Sequence, residues 1–196
     1  MSPLGLAIKI GTRRSPLALW QAEWVKARLL EFGEVEEVEL VKIQTSGDKI
    51  LDVPLAKVGG KALFTKEIEE SLLRKETDLA VHSLKDVPVK IPEGLEVSVF
   101  PERENPFDVL VSRGIPFASL PKKARIGTSS LRRSSQIKRV RHDFEIVEIR
   151  GNVQTRLKKL DTEKLDAVIL AAAGMIRMGY EDQISQYLPT SICLPA

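Results

Sequence analysis

The sequence predicts an α/β fold in two lobes, each with a mixed, mostly parallel sheet flanked by helices. Short β-rich runs alternate along the chain with amphipathic helical runs, a pattern typical of parallel sheets covered by helices. A polar stretch between two prolines, residues 101–106, interrupts this alternation and is predicted to be a hinge. The chain therefore divides into lobe one (1–100), the hinge and lobe two (107–196), which ends in a return crossing.

In lobe one, strands are predicted over residues 6–12, 38–45, 78–83 and 95–100. Ser15 is a good helix N-cap and Pro16 suits the first helical position, so a helix is predicted over 17–32, closed by Gly33. A second helix is predicted over 63–75. Residues 46–61 are rich in Gly, Pro, Lys and Asp and are predicted to form a long, mobile loop.

In lobe two, strands are predicted over residues 107–112, 125–127, 144–149 and 166–171. Helices are predicted over 129–140, 153–160 and 172–178. Two α/β lobes joined by short crossings resemble the architecture of periplasmic binding proteins. This resemblance is an analogy of fold and implies no function.

Composition restricts the class of protein. The 196 residues are 43% hydrophobic and 29% charged, enough apolar material for a buried core. No apolar run reaches the ~18–20 residues needed to span a bilayer. One cysteine and two histidines argue against a disulfide framework and against a metal site built from these residues. We expect a cytoplasmic monomer with no metal ion and no membrane partner.

Positive charge is concentrated in one part of the chain. The net charge is only +3, but residues 122–159 contain twelve Lys and Arg against three Asp and Glu. This segment predicts an anionic partner, and nucleic acid, a polycarboxylate and a phosphate compound all remain open.

The strand-to-helix junctions are the candidate binding positions, because ligands of open α/β sheets bind beyond the carboxyl ends of strands. Arginines lie at four of the five junctions, which span residues 11–16, 83–88, 127–133, 150–156 and 172–177. Arginine and the free N–H groups of helix starts bind carboxylates, so an anion-binding cleft is predicted.

Asp86 is the lone carboxylate among these cationic junctions. Neighbouring positive charges would keep it ionised, so it could stabilise a developing cation or bind an ammonium leaving group. It could equally be a turn-forming residue ahead of Val87 and Pro88.

Other conspicuous residues are expected to be structural. Packing roles are predicted for Trp20, Trp24, Met175, Met178, His82 and Cys193, with Cys193 as a small buried residue rather than a nucleophile. The run Gly59-Gly60-Lys61 is predicted to give loop flexibility.

Five stretches carry a resemblance to one family: residues 12–21, 81–88, 127–133, 150–156 and 171–174. In these stretches the chain resembles the porphobilinogen deaminase (hydroxymethylbilane synthase) family, whose motifs are long and collectively specific. The resemblance implies a transferase of haem biosynthesis that joins four porphobilinogen molecules head to tail, releasing ammonia. The growing polypyrrole carries acetate and propionate groups, which suits the arginine-lined cleft.

The resemblance also implies residue roles. Asp86 would assist deamination and stabilise the cationic, azafulvene-like intermediate. Carboxylates of the substrate and of a dipyrromethane cofactor would be bound by Arg13, Ser15, Lys85, Thr128, Ser129, Ser130, Arg132, Arg133, Arg150, Arg156 and Arg177. Asp48, Lys57 and Lys61 would lie on a flexible loop over the active site.

Two departures from the family pattern affect these expectations. The family has a third, C-terminal domain whose cysteine, in a Gly-Gly-Cys context, holds the cofactor through a thioether. Cys193 lacks that context, so no covalent cofactor cysteine is assigned, and the 196-residue chain is expected to be inactive alone while binding polycarboxylate pyrroles weakly. Ala62 replaces a usual glycine, which would stiffen the predicted loop.

Two alternatives come from other classes. A two-lobed anion-binding module without catalysis would gain nothing from Asp86 among its arginines. A nucleic-acid-binding protein would show a steep loss of affinity with salt, but the basic segment has one aromatic residue, Phe144, for base stacking. No nucleic-acid partner is therefore expected.

Overall fold

A computed structural model describes residues 5–49 and 63–196. The chain divides into two compact units: unit 1 comprises residues 1–100 and unit 2 residues 101–196. No helix among the described residues is long and apolar enough to cross a lipid bilayer.

The described part of unit 1 contains a three-stranded parallel sheet in the order β2-β1-β3. Its elements are β1 (Leu6–Arg13), α1 (Pro16–Glu31), β2 (Val35–Ile43), α2 (Ser46–Lys49), α3 (Lys66–Leu73) and β3 (Leu79–Ala80). Because the strands are parallel, their carboxyl ends lie at one edge of the sheet. The chain segments that follow β1, β2 and β3 therefore begin at that edge.

Local signals set the start and end of α1. The Ser15 hydroxyl accepts a hydrogen bond from the Ala18 N–H at 3.4 Å, and Pro16 occupies the first turn. Gly33 follows the helix with a φ of +75°, the left-handed conformation that glycine adopts without steric cost. The helix covers the sheet, and Ile10 and Ala22 are fully buried in the core between them.

Unit 2 contains a five-stranded mixed sheet in the order β6-β5-β7-β4-β8. Its elements are β4 (Asp108–Val111), β5 (Arg125–Gly127), α4 (Leu131–Val140), β6 (Glu145–Val147), α5 (Val153–Thr162), β7 (Ala167–Ala171), α6 (Ala172–Arg177) and β8 (Gln186–Tyr187). Strand β5 is parallel to β6 and β7, whereas β4 is antiparallel to β7 and β8. Asp108, at the start of β4, therefore pairs with Ala171 at the end of β7.

Close packing holds the sheet of unit 2 against its helices. Phe117 and Phe144 make an edge-to-face contact with ring centroids 5.4 Å apart. A Cβ on Gly127 would lie 2.8 Å from the Leu165 Cδ1 and 3.0 Å from the Ile149 Cδ1, so β5 can end here only in glycine without displacing its neighbours.

Several predicted elements need correction. Residues 95–100 form no strand, and Val99 and Phe100 are 78% and 64% exposed, because no described strand pairs with them. The strand predicted over 78–83 is reduced to β3, the two residues that pair with β1. Residues 46–49 of the predicted loop form α2 instead, and residues 50–61 lie outside the described residues.

The predicted packing residues differ in burial. Met175 and Cys193 are fully buried, as predicted. Trp20 and Trp24 are 38% and 39% exposed and therefore only partly buried, and the Arg28 guanidinium lies 5.6 Å from the Trp24 ring centroid.

Candidate functional site

The strand-end edge of unit 1 brings together three of the predicted site residues. Arg13 ends β1, Asp48 lies in α2 after β2, and Asp86 ends the 3₁₀ turn Leu84–Asp86 after β3. Arg13 donates to both Asp48 oxygens, from Nη2 to Oδ1 at 2.5 Å and from Nε to Oδ2 at 3.4 Å. Its Nη1 lies 3.9 Å from the Asp86 Oδ2. The Arg13 guanidinium thus hydrogen-bonds one carboxylate and lies close to a second.

Asp48 is held in its charged form. Burial alone would raise the pKa of Asp48, but the hydrogen bonds from Arg13 and Thr45 and the Arg13 charge outweigh it, and the pKa is lowered. The Thr45 hydroxyl donates to the Asp48 Oδ2 at 2.8 Å. Asp48 is therefore a fixed, ionised partner of Arg13 rather than part of a mobile loop.

The turn that carries Asp86 is tied to its surroundings. The Asp86 N–H donates to the Ser83 carbonyl at 2.9 Å, and the Ser83 hydroxyl donates to the Gln21 Oε1 of α1 at 3.0 Å. The Asp86 side chain is 29% exposed and so remains accessible to a ligand. Lys85 is exposed in the same turn.

His82 is half-buried beside this group. Burial lowers the pKa of His82, the Arg13 charge adds to that effect, and the Asp86 charge opposes it. The imidazole therefore responds to the charge balance between Arg13 and Asp86.

In unit 2 the predicted hydroxyl residues organise the start of α4. The buried Thr128 hydroxyl accepts from the Ser130 N–H at 3.2 Å, and the Ser130 hydroxyl caps the helix by accepting from the Arg133 N–H at 3.4 Å. The Ser129 hydroxyl donates to the Ile149 carbonyl. In unit 1, Ser15 has the same capping role for α1.

Two arginines in the first turn of α4 share one carboxylate. Arg133 donates to the Asp108 Oδ1 from Nε at 3.0 Å and from Nη2 at 2.7 Å, and Arg132 Nη2 lies 2.7 Å from the Asp108 Oδ2. Asp108 is only 2% exposed. A third bond from Arg133 goes to the Ile169 carbonyl at 3.1 Å. The Arg133 guanidinium is thus part of the core, while Arg132 is 30% exposed.

Cys193 belongs to the same buried cluster. Its thiol donates to the Asp108 Oδ2 at 3.2 Å. Burial and this hydrogen bond raise the pKa of Cys193 to about 11, so the thiol is protonated and unreactive at neutral pH. Next to it, the Leu194 carbonyl accepts from Arg132 and from the Gln136 Nε2, the latter at 3.2 Å.

The remaining predicted arginines follow β6 and β7. Arg150 is half-buried after β6, Arg156 is half-buried in α5, and Arg177 ends α6. Burial lowers the pKa of Arg156, and the positive charges of Arg133 and Arg150 lower it further. Arg156 donates to the Gly151 carbonyl at 2.8 Å. Positive charge thus accumulates near this edge of the sheet.

The rule that ligands bind beyond the carboxyl ends of strands predicted these positions in each unit, but it did not include Asp108. That residue begins an antiparallel strand, so it reaches the carboxyl-end edge from the opposite direction. The sequence did contain a signal for Asp108, which directly precedes the apolar run 109–111. A carboxylate at the start of a buried strand needs a charged partner, and the arginines of the junctions were candidates. Lys57 and Lys61 lie outside the described residues.

A cavity of about 400 Å³ lies at the other edge of the unit 2 sheet, beyond the end of β4. Its lining includes Arg113, Asp161 and Ile184 and none of the predicted site residues. Size alone does not mark it as a functional site, since the convergent charged groups lie at the strand-end edge. No group of three metal-ligating side chains occurs within residues 5–49 and 63–196.

Comparison with known proteins identifies relatives. Residues 8–196 match the family model described as porphobilinogen deaminase, dipyromethane cofactor binding domain. The chain is 62% identical to the porphobilinogen deaminase of Geobacter metallireducens over 189 residues, covering 96% of this chain and 59% of that protein. It is 57% identical to the porphobilinogen deaminase of Pelobacter propionicus, of which it covers 61%. The chain thus spans about three fifths of the length of these curated relatives.

A solved structure supports the fold. The periplasmic VFT2 domain of Bordetella pertussis BvgS aligns with a TM-score of 0.51 at 14% identity, covering 96% of this chain and 77% of that one. At this identity the likeness concerns the fold alone, and it confirms the predicted two-lobed α/β architecture of the periplasmic-binding-protein type.

Proposed function

Because the chain belongs to the porphobilinogen deaminase family, we propose that it supplies the substrate-binding and acidic groups of a tetrapyrrole-forming transferase. The reaction joins four porphobilinogen molecules head to tail, with loss of ammonia at each step, to give hydroxymethylbilane. We further propose that the 196-residue chain does not catalyse this reaction by itself.

The observation that carries the proposal is the position of Asp86. Its carboxylate lies at the strand-end edge of unit 1, 29% exposed, and 3.9 Å from an arginine that is already bonded to Asp48. A carboxylate in this position is exposed enough to contact a cationic group of a ligand. We assign it to the ammonium group of porphobilinogen and to the cation left when ammonia departs.

The basic groups of unit 2 suit the carboxylates of the substrate and of a dipyrromethane cofactor. Arg156 is half-buried, and its pKa is lowered by burial and by Arg133 and Arg150, so an anionic ligand here would relieve unfavourable charge. This donor set fits a group that carries several carboxylates. When bound, the cofactor supplies the pyrrole to which substrate units are added; Arg132, Arg150, Arg156 and Arg177 would hold its acetate and propionate groups.

The same basic segment is a poor nucleic-acid surface, because much of its arginine is used internally. Arg133 bonds Asp108, Arg141 bonds Asp143 at 2.8 Å, and Arg125 bonds the Glu163 and Lys164 carbonyls. We therefore propose a small polyanionic ligand rather than a nucleic acid. We also propose that the protein is a cytoplasmic monomer.

The test joins residues 1–196 to the C-terminal portion of the Geobacter metallireducens relative that this chain does not cover, and measures ammonia release from porphobilinogen. We expect turnover by this chimera and none by the 196-residue chain. Asp86→Asn in the chimera should abolish turnover while porphobilinogen binding persists. Surviving turnover would contradict the role of Asp86, and ligand binding without turnover by the unmodified chimera would favour an anion-binding module.

A further inference from the structure

Arg13 is shared unequally by two carboxylates. Its contact with Asp48 is two-pronged, with Nη2 to Oδ1 at 2.5 Å and Nε to Oδ2 at 3.4 Å. Its approach to Asp86 is a single distance of 3.9 Å, beyond hydrogen-bond range. The guanidinium is therefore committed to Asp48 and contributes only its charge at Asp86.

Asp48 is held independently of Arg13. The Thr45 hydroxyl and N–H donate to its Oδ2 at 2.8 and 3.3 Å. Helix α2 is itself fixed, because the Ser46 N–H donates to the Glu67 Oε1 of α3 at 2.8 Å. Asp48 therefore cannot follow the arginine if Arg13 moves toward Asp86.

Phe64 restrains the guanidinium from a different direction. The Arg13 Cζ lies 4.1 Å from the Phe64 ring centroid, within range of a cation–π contact. The same ring packs against Gly47 of α2, where a Cβ would lie 2.3 Å from the ring. The absence of a side chain at Gly47 lets α2 approach closely enough for Asp48 to reach Arg13.

We infer that Asp48 is a positioning residue that holds Arg13 away from Asp86, so that the Asp86 oxygens stay available to a cationic group of the substrate. The identity of that group rests on the proposed function, whereas the geometry does not. Without the Asp48 charge, a shift of about 1 Å would let Arg13 form a close ion pair with Asp86. The pair would neutralise the carboxylate that the reaction needs.

His82 provides a readout that requires no substrate. The Arg13 and Asp86 charges both act on this imidazole, with opposite signs, and Lys85 is the other charged group of the adjoining turn. In Asp48→Asn, a close Arg13–Asp86 pair would weaken the effect of the Asp86 charge, so the titration midpoint of His82 should fall. NMR of the chain can follow this directly, because the chain has only two histidines, His82 and His142.

A double-mutant cycle separates positioning from a general structural effect. The shift caused by Asp48→Asn should disappear when Asp86→Asn is already present. The matched control is Asp78→Asn, which removes the same charge just before β3, where Asp78 accepts from the Lys9 N–H of β1 at 2.7 Å. An unchanged His82 midpoint in Asp48→Asn, or an equal shift in the Asp86→Asn background, would overturn the inference.

The chimera gives the functional counterpart. Asp48→Asn should lower kcat at least tenfold with a KM for porphobilinogen changed less than threefold, because the loss concerns the cation formed during reaction. A loss confined to KM would contradict this role. If the unmodified chimera shows no turnover, the proposed function fails, while the His82 titration still decides whether Asp48 positions Arg13.

Discussion

The strand-end edges of the two units use the same two residue types in opposite proportions. In unit 1, one arginine lies between two aspartates, and all three side chains are 20–29% exposed. In unit 2, one aspartate lies between two arginines and is only 2% exposed. The first arrangement leaves a carboxylate available to a ligand, and the second uses its carboxylate to hold arginines in place. Stoichiometry and burial, rather than residue type, separate a candidate reactive group from a structural one.

The largest expected effect is on the buried cluster. Asp108→Asn leaves Arg132 and Arg133 without their shared counter-charge, so the free energy of unfolding should fall by about 3–5 kcal/mol. Urea denaturation measures it. Asp161→Asn is the matched control, since its ion pair with Arg113 is exposed on both sides and should contribute at most about 1 kcal/mol. Equal losses in the two variants would remove the distinction between a buried and an exposed pair.

Cys193 tests the burial of the same cluster by chemistry. Its pKa is raised to about 11, so at pH 8 iodoacetamide should alkylate the folded chain about a hundredfold more slowly than the urea-unfolded chain. The measurement is unambiguous, because the chain has a single cysteine. Similar rates for the two states would show that the thiol is not held against Asp108.

A smaller effect is expected at the partly exposed cluster of unit 1. Asp48→Asn should lower the free energy of unfolding at pH 7 by about 1–2 kcal/mol, because charged hydrogen bonds to Arg13 and Thr45 are weakened. The pKa of Asp48 is lowered by folding, so its contribution is complete above its unfolded pKa of about 4 and is lost as the pH falls through the folded value. The difference between variant and parent should therefore shrink toward pH 2. A difference independent of pH would contradict an ionised Asp48.

The smallest effects should be equal in the two units. Ser15→Ala and Ser130→Ala each remove an N-cap hydrogen bond of 3.4 Å, and each should lower the free energy of unfolding by about 1 kcal/mol. Thermal denaturation of both variants measures this. A much larger loss for Ser130→Ala would show that the cap also supports the Asp108 cluster.

The sequence predicts which residues of the candidate site lie together, because parallel strands place their carboxyl ends at one edge. Arg13, Asp86 and the 128–133 stretch were found by that rule, and the structure places Arg13 beside Asp86. The rule did not identify Asp108, because β4 runs antiparallel and its first residue lies at the carboxyl-end edge. Strand direction depends on the connections of the whole sheet, which a local sequence pattern does not show. Asp48 was assigned to a mobile loop because composition alone does not show that Thr45, Ser46 and Glu67 fix a helical turn.

The fold was predictable to a similar extent and for similar reasons. Strand β5 and helix α4 have strong local signals, and their predicted positions agree with the structure within two residues. Residues 95–100 have the apolar alternation of a strand, but a strand also needs a hydrogen-bonded neighbour, which a local pattern does not report. The sequence pattern at residues 95–100 therefore predicts a strand that the structure does not contain.

The contact between Gly47 and Phe64 limits how this region can vary in evolution. Any side chain at position 47 would enter the space of the ring. A change to alanine requires the Phe64 ring to move or to be replaced by a smaller side chain, and either change would disturb the aromatic face beside Arg13. In a library that varies every position of the chain, positions 47 and 64 should therefore covary, and functional members should retain glycine and phenylalanine together.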